Sequence, residues 1–322
     1  MLHIVNGDAT LRLLAQAGLD GEYAIWRDAL MEGPAPNGLR SRADWEERAA
    51  RNATDWGISR DAYLAGVDEF HARLEKGDAE EVVLWFEEDL FCQLPLCYLL
   101  SLRRPDDATP WSVVCHEDRL GEQSPDKLRL FFEARGRPTP GFVDLARRAW
   151  AAYGAADPSG LAALAAEEDF AAWPLLRRGL LAHLARFPGA RNGLNAPEEA
   201  ILQALRPRPL AFPDLHAKLA ALETFRTYGA GDMQVASLLH DLAGGPVPLV
   251  TLAGAARRDD VLERVRDATL AVTTAGRAVL AGEKDHVKLN PPDRWLGGVH
   301  HAPGRPLWRW DAAAGQLVRE DA

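Results

Sequence analysis

The first 120 residues of the chain alternate short apolar runs with helical patterns. The apolar runs lie at 2–5, 22–26, 81–86 and 111–115, and the segments between them have the apolar spacing of helices. This alternation is typical of βαβ units, which build a largely parallel sheet. We therefore predict an α/β fold that begins with a Rossmann-like, mostly parallel sheet.

The rest of the chain divides into two further segments. Residues 125–194 are helical in pattern and rich in alanine, which predicts a helical connector between a first domain at 1–124 and a last domain at 195–322. In the last domain, Thr273, Gly276 and Leu280 follow a T-x-x-G-x-x-x-L pattern that resembles the ending of winged-helix domains. We predict a winged-helix-like domain there, closed by a β-hairpin at 295–310.

A winged helix suggests DNA binding, but the expected recognition helix at 231–242 is unsuited to it. This segment contains no Lys or Arg and carries Asp232 and Asp241, and Gln234 is its one good base-reading side chain. DNA is therefore disfavoured as a partner, and packing or homodimerisation is the preferred role of this helix.

Composition limits the remaining classes. A chain of 322 residues with 47% apolar and 26% charged residues fits a globular protein of two or three domains and argues against disorder. Cys92, Cys97 and Cys115 have no zinc or disulfide spacing, which favours reduced and inert thiols. We find no signal-peptide pattern and no run of about eighteen apolar residues, so we expect a cytoplasmic protein that does not span a membrane.

The net charge of −10 is unevenly distributed along the sequence. Residues 1–150 contain 27 acidic and 18 basic side chains, and the remainder of the chain is nearly balanced. An acidic surface repels phosphate backbones, so nonspecific nucleic-acid binding by the N-terminal part is disfavoured.

Acidic residues follow the predicted strands, and this placement suggests a site. The carboxyl ends of parallel strands meet at one sheet edge, where open α/β sheets bind ligands. We therefore expect these carboxylates to converge on one crevice. Their positions are 8, 28, 32, 87–89 and 117–118.

Around the first strand, His3, Asn6 and Gly7 are candidate ligand-binding residues. Gly7 permits a sharp turn or close approach of a ligand, and a helix that starts after it would direct N–H groups at an anion. Asp8 is a candidate metal ligand. The structural alternative makes Asp8 a helix cap and His3 a hydrogen-bonded interior residue.

After the second strand, Arg27, Asp28 and Glu32 enter a loop shaped by glycine and prolines. Arg27 is expected to bind an anionic group of the ligand, whereas Asp28 and Glu32 are expected to hold a divalent cation or to act as a base. The alternative is a surface Arg–Asp pair beside a rigid loop.

The third and fourth strands contribute one metal ligand and one proton-transfer group. Three acids at 87–89 precede a helix, and capping explains at least one of them, but three adjacent carboxylates exceed what a cap requires. One of the three is the expected metal ligand, and we select Glu87. His116 ends the fourth strand beside two acids and is the candidate proton-transfer residue.

Three stretches together resemble the bacterial family called domain of unknown function 1835, in the form with a second uncharacterised C-terminal domain. They are residues 3–8 (HIVNGD), 26–34 (WRDALMEGP) and 294–311, which includes RWLGG and WRWD. The resemblance implies a Rossmann-like N-terminal part and a cytoplasmic bacterial protein, and it implies no particular reaction.

The leading hypothesis is a metal-assisted hydrolase or transferase. It would act on a nucleotide or other small phosphorylated ligand, with catalysis by Asp28, Glu32 and His116 and a divalent cation as cofactor. The alternatives are a ligand-sensing transcriptional regulator and a protein-interaction scaffold that use the winged-helix-like domain.

Overall fold

The computed structural model describes residues 1–104, 106–167, 169–171, 173–254 and 261–321. Its strands and helices follow in chain order. The strands are β1 Leu2–Val5, β2 Glu22–Ile25, β3 Val82–Glu87, β4 Trp111–His116, β5 Leu210–Ala211, β6 Val250–Ala253, β7 Thr269–Val272, β8 Arg294–Leu296, β9 Val299–His301, β10 Leu307–Asp311 and β11 Gln316–Glu320. The helices are α1 Asp8–Gln16, α2 Arg42–Trp56, α3 Arg60–Glu75, α4 Leu90–Leu102, α5 Pro125–Glu133, α6 Pro140–Tyr153, α7 Ser159–Glu167, α8 Pro174–Leu184, α9 Ala196–Leu205, α10 Phe212–Ala220, α11 Glu223–Tyr228, α12 Asp232–Ala243, α13 Val261–Val265, α14 Thr274–Leu280 and α15 His286–Leu289.

The four N-terminal strands form one parallel sheet in the order β2-β1-β3-β4, which confirms the predicted α/β class. The chain runs from β1 to β2 on one side and then returns to β3 on the other side of β1. The strand order therefore reverses between β1 and β3, and at such a point an open sheet leaves a crevice at its carboxyl edge.

Both faces of this sheet are covered, because its strands are apolar on both sides. One face places Ile4, Leu84 and Phe86 in the largest hydrophobic cluster, which also includes residues of α2, α4, α6 and α8. The other face packs Val83 and Trp85 against α1 and α5. The helices between 125 and 184 thus share a core with the sheet.

The C-terminal residues form a second cluster around helices α9, α10 and α12. A three-stranded sheet in the order β5-β7-β6, with antiparallel pairs, lies beside these helices. The single terminal hairpin predicted at 295–310 is replaced by two consecutive hairpins. The first is formed by β8 and β9, and the second, formed by β10 and β11, extends past residue 310. No helix among the described residues is long and apolar enough to cross a membrane.

A buried arginine fixes the loop that follows β2. Arg48 is 1% exposed and donates to both carboxylate oxygens of Asp28, at 2.6 and 2.8 Å. It also donates to the hydroxyl of Tyr63 and to the carbonyl oxygens of Ala29, Glu32 and Pro34. Prolines remove backbone N–H donors from this loop, and the guanidinium supplies donors to three of its carbonyl groups.

We expect Arg48→Met to lower the free energy of unfolding by about 3–5 kcal/mol, because it leaves the largely buried Asp28 carboxylate without a counter-charge, with the Tyr63 hydroxyl as its remaining side-chain donor among the described residues. Urea denaturation followed by tryptophan fluorescence measures the change. The double variant Arg48→Met with Asp28→Asn should recover part of the loss.

The control is Arg27→Met, which removes an arginine from an exposed pair. The Arg27 and Asp8 side chains are 65% and 60% exposed. This variant should have nearly the same free energy of unfolding as the wild type. If Arg27→Met and Arg48→Met lowered the free energy of unfolding equally, burial of the Arg48–Asp28 ion pair would not determine how much it stabilises the protein.

Candidate functional site

The carboxyl end of β3 and the start of α4 carry a compact group of metal-ligating side chains. One ligand atom from each of Glu87, Asp89 and Cys92 lies within 4.8 Å of the other two. Within the part of the chain that the structure describes, no other group of three or more His, Cys, Asp or Glu meets this criterion. The site therefore combines two carboxylates and a thiol at the reversal of strand order.

The ends of β3 and α4 hold the three side chains in place. Asp89 is the N-cap of α4 and accepts a hydrogen bond from the backbone N–H of Cys92 at 2.8 Å. Glu87 ends β3 and accepts from the backbone N–H of Leu120 at 2.8 Å. Cys92 lies one helical turn after Asp89, so their side chains share the first turn of α4.

The C-terminal part of the chain covers Asp89. Gly229 ends helix α11, and a Cβ atom at this position would lie 2.4–2.7 Å from the Asp89 carboxylate atoms. Gly229 has φ of 65°, a conformation that glycine adopts easily. The turn after α11 thus approaches the carboxylate closely and shields it from water.

Burial and mutual repulsion change the proton affinity of this group. Burial, together with the negative charge of Asp89, raises the pKa of Glu87 to about 7. Burial raises the pKa of Asp89 to about 6, against the hydrogen bond from Cys92. Burial also raises the pKa of the Cys92 thiol. Near neutral pH the carboxyl groups of Glu87 and Asp89 therefore tend to bind a proton or a metal cation.

Two amide side chains complete the surroundings and each leaves an oxygen without a partner. Asn6 donates from Nδ2 to the sulfur of Cys92 at 3.0 Å, and its Oδ1 is buried with no hydrogen bond from described residues. Gln93, which is 1% exposed, donates to the carbonyl of Glu87 at 2.6 Å and also leaves its Oε1 unpaired. Unpaired buried oxygens are costly unless a ligand or water supplies a donor.

The start of helix α1 lies at the same edge of the sheet. Gly7 is its N-cap, and no cap side chain accepts the first N–H groups of the helix. Gly7 has φ of 137°, and a Cβ atom there would meet nothing within 4 Å. The open space above Gly7 and the partial positive charge of the helix terminus suit an anionic group.

The structure does not bring the four predicted metal ligands together. Asp8 lies on the surface, where Arg27 binds both of its oxygens at 2.7 and 2.9 Å. Both oxygens of Asp28 are occupied by Arg48. Strand order separates Asp28 from Glu87, because β2 and β3 lie on opposite sides of β1 and their ends are about 10 Å apart. Asp8 follows β1, next to β3, and its ion pair with Arg27 occupies it instead.

Glu32 also lies apart from Glu87, in an ion pair with Arg186. The distance from Arg186 Nη2 to Glu32 Oε2 is 3.0 Å, and Nη1 of the same arginine donates to the Met31 carbonyl. Glu32 borders two cavities of about 570 and 1060 Å³. It is therefore a cavity-lining residue away from the metal-ligating group.

The two predicted histidines occupy different environments. His3 is fully buried on the α1 face of the sheet, where its Nδ1 accepts from Trp85 and its Nε2 contacts the Asp20 carbonyl. His116 is half-exposed at the end of β4, with its ring stacked on Phe131 at 4.1 Å. His116 is the register partner of Glu87, so of the two it is the one beside the candidate site.

Sequence reasoning missed Cys92 and Arg48. The sequence predicts a buried, inert Cys92, and its burial is confirmed; its place beside Asp89, in the same helical turn, follows from a spacing of three residues that the sequence reasoning did not use. Nothing in the local pattern marks Arg48, which lies twenty residues from its partner. Of the four residues predicted to bind the small-molecule ligand, Asn6 and Gly7 lie at the candidate site around Glu87, Asp89 and Cys92.

No family model matches the chain, and no curated protein matches it. The resemblance to the domain of unknown function 1835 family therefore stays a prediction.

We expect Glu87→Gln to stabilise the protein at pH 8 by about 3 kcal/mol, since one pKa unit corresponds to about 1.4 kcal/mol. The folded-state pKa of Glu87, about 7, lies above the usual value of 4.5. The folded protein therefore binds more protons between these values, and stability falls as pH rises through this window. Glutamine does not ionise, so the variant does not lose this stability as pH rises.

Urea denaturation at pH 8 and pH 4.5 tests this expectation. At pH 4.5 the carboxyl is largely protonated in the folded protein, so most of the gain should vanish. Glu117→Gln, which changes an exposed carboxylate just past the neighbouring strand, is the control and should have no such pH dependence. A pH-independent gain in Glu87→Gln would contradict the raised pKa.

Proposed function

We propose that the protein is a metal-assisted hydrolase or transferase that acts on a nucleotide or other small phosphorylated ligand between the ends of β1 and β3. The observation that carries this proposal is the group formed by Glu87, Asp89 and Cys92 at the reversal of strand order. In this proposal Asp89 and Cys92 take the place of Asp8, Asp28 and Glu32 as metal ligands.

The chemistry of the donors supports a divalent cation. Two carboxylates with raised pKa values repel each other, and a cation bound between them removes this repulsion. A thiolate beside carboxylates suits zinc and similar transition metals better than magnesium. The unpaired Oδ1 of Asn6 supplies a further acceptor for a bound water or ligand.

The helix terminus at Gly7 supports an anionic ligand. Backbone N–H groups at the start of α1 suit a phosphate, and the open space over Gly7 lets one approach. Arg119 adds positive charge, since it lowers the proton affinity of both Glu87 and Asp89 and its side chain is 45% exposed. A phosphate bound there would lie next to the cation.

The contact with the leaving group is assigned to His116 in this proposal, and Glu87 stays a ligand of the cation. The Nδ1 of His116 accepts from the backbone N–H of Asp118 at 3.0 Å, which leaves the proton on Nε2. In hydrolysis a water oxygen attacks phosphorus while the bond to the leaving oxygen breaks. Neutral His116 donates a hydrogen bond from Nε2 to the leaving oxygen, and the proton of the attacking water passes to an oxygen of the released phosphate.

We expect Co²⁺ to bind with an ultraviolet charge-transfer band from the Cys92 sulfur, because the thiolate is a direct ligand. Absorption titration of the full chain measures this band. Cys92→Ser should abolish it, and Glu87→Gln and Asp89→Asn should each weaken Co²⁺ binding at least tenfold.

Cys97→Ser and Asp28→Asn are the matched controls. Cys97 is a buried thiol and Asp28 a paired carboxylate, and neither belongs to the group. Phosphate release from nucleoside triphosphates and sugar phosphates with Zn²⁺ or Mn²⁺ then tests the reaction. A band that survives Cys92→Ser sinks the metal assignment, and metal binding without any phosphate release sinks the reaction alone.

The order of elements in the C-terminal part favours a second candidate, the ligand-sensing regulator. Helices α9, α10 and α12 with β7 between β5 and β6 follow the order expected of a winged helix. However, Gln234, Ser237 and Asp241 of α12 line the cavity that also borders Glu32. The expected recognition helix thus faces the N-terminal part, which favours packing over DNA contact.

We expect no shift of a random DNA duplex by the full chain at 50 mM salt in an electrophoretic assay, because α12 has no cationic side chain. The assay is repeated with Zn²⁺ and nucleoside triphosphates present. A shift that weakens as salt increases would favour the regulator over the enzyme.

A further inference from the structure

The cavity of about 570 Å³ lies between the N-terminal and C-terminal parts of the chain. Arg51 and Asp55 of α2 belong to its lining, and so do Asp241 of α12 and Arg294 of β8. Its volume falls within the range of small-molecule sites, roughly 300–1,000 Å³. None of the three metal-ligating side chains lines it, so a ligand in this cavity would not occupy the metal site.

The charges in the lining of this cavity are nearly balanced. Among the described residues, five carboxylates and four guanidinium groups line it. Three of the guanidinium groups form ion pairs within the lining: Arg51 with Asp55, Arg186 with Glu32 and Arg294 with Glu198. An anionic ligand would meet carboxylates and a cationic one would meet guanidinium groups, so the lining disfavours a ligand that carries net charge.

The gap between Arg294 and Asp241 suits a hydroxyl group. The distance from Arg294 Nη2 to Asp241 Oδ2 is 4.0 Å, which is too long for a hydrogen bond. An oxygen atom beside the pair can lie about 2.8 Å from both atoms. A hydroxyl group accepts from the guanidinium and donates to the carboxylate, whereas an anion only accepts and an ammonium group only donates. The pair therefore favours a hydroxyl over either charged group.

Glu198 and His286 provide a second acceptor and donor in the same lining. Glu198 is 1% exposed, and its Oε1 lies 2.8 Å from Arg294 Nη1 without the alignment of a hydrogen bond. The Nδ1 of His286 accepts from the Asn290 amide at 3.4 Å, which leaves the proton on Nε2. Burial lowers the pKa of His286, so its ring is neutral near pH 7. A buried acceptor such as Glu198 Oε1 is costly unless a ligand or water supplies a donor.

Aromatic side chains accompany these polar groups. Trp56, Phe225 and Trp295 line the same cavity, and both tryptophans are partly exposed. A sugar ring has apolar C–H faces and a rim of hydroxyl groups, so it can use aromatic surface together with neighbouring donors and acceptors. Water would satisfy the polar groups but would leave the aromatic surface uncovered.

We propose that this cavity binds a neutral monosaccharide. One hydroxyl group of the sugar lies between Arg294 and Asp241, and another lies within reach of Glu198 and His286. The binding involves no covalent step. It goes beyond the proposed metal-assisted reaction and does not depend on it.

The probes are D-glucose, D-galactose and D-mannose, each titrated into the full chain by isothermal titration calorimetry. Direct heats are needed because sugars also stabilise proteins by exclusion from their surface, which shifts unfolding temperatures without specific binding. We expect at least one of the three to bind with a Kd in the millimolar range or tighter. At about pH 6, where the amine is protonated, its amino sugar and its uronate should each bind at least tenfold more weakly.

Two carboxylates of α12 provide a matched pair of variants. Asp241→Ala removes the acceptor of the sugar hydroxyl and should weaken binding of the neutral hexose at least tenfold. Asp232 is an exposed carboxylate of the same helix outside the cavity, so Asp232→Ala should bind as the wild type does. Asp241 is also exposed, so both variants should fold, and circular dichroism checks this.

Three results would overturn the proposal. If none of the three hexoses binds, the polar groups of the cavity hold only water. If an amino sugar or a uronate binds as tightly as its neutral hexose, the gap between Arg294 and Asp241 does not select a hydroxyl group. If Asp241→Ala binds the hexose as tightly as Asp232→Ala does, the sugar lies elsewhere.

Discussion

The buried guanidinium of Arg48 is the interaction on which the arrangement of the N-terminal part depends. All five of its N–H groups find acceptors, in a carboxylate, a hydroxyl and three loop carbonyls. A buried charge is tolerated only when it is fully hydrogen-bonded in this way. Because the carbonyls belong to the loop after β2, the loop takes one conformation. That conformation positions Ala35 to donate to the Gly297 carbonyl at 2.8 Å, where the two parts of the chain meet.

The same arginine decides which carboxylates remain available for chemistry. Asp28 is paired with Arg48, and Asp8 is paired with Arg27. These two carboxylates are therefore already neutralised by arginine side chains. Glu87 and Asp89 have no such partner among the described residues and instead accept backbone N–H groups. A carboxylate paired with arginine holds its charge readily, whereas one that is buried and unpaired tends to take a proton or a metal. Ion pairing thus concentrates the reactive carboxylates at β3.

The sequence predicts the strands of this sheet better than its side-chain contacts. Apolar runs at 2–5, 81–86 and 111–115 identify three of the four strands, because strands covered on both faces need continuous apolar sequence. The periodicity also places Glu87 at a strand end. It does not reveal strand order, which separates Asp28 from Glu87, or the partner of a buried arginine on a distant helix. The hairpin expected at 295–310 is two hairpins for a similar reason: β10 pairs with the following β11, and pairing partners depend on tertiary contacts.

Desolvation of the acidic group links the two parts of the chain. Burial is the first cause of the raised pKa values of Glu87 and Asp89, and the turn at Gly229 supplies part of that burial. A side chain at Gly229 would collide with Asp89, so close packing here depends on glycine. The C-terminal part need not contact DNA or ligand to affect the site. Movement of this turn away from Asp89 would admit water, lower the pKa of Asp89 and reduce the tendency of its carboxylate to bind a proton or a cation. The position of the turn at Gly229 therefore affects how strongly the buried Asp89 carboxylate binds a proton or a cation.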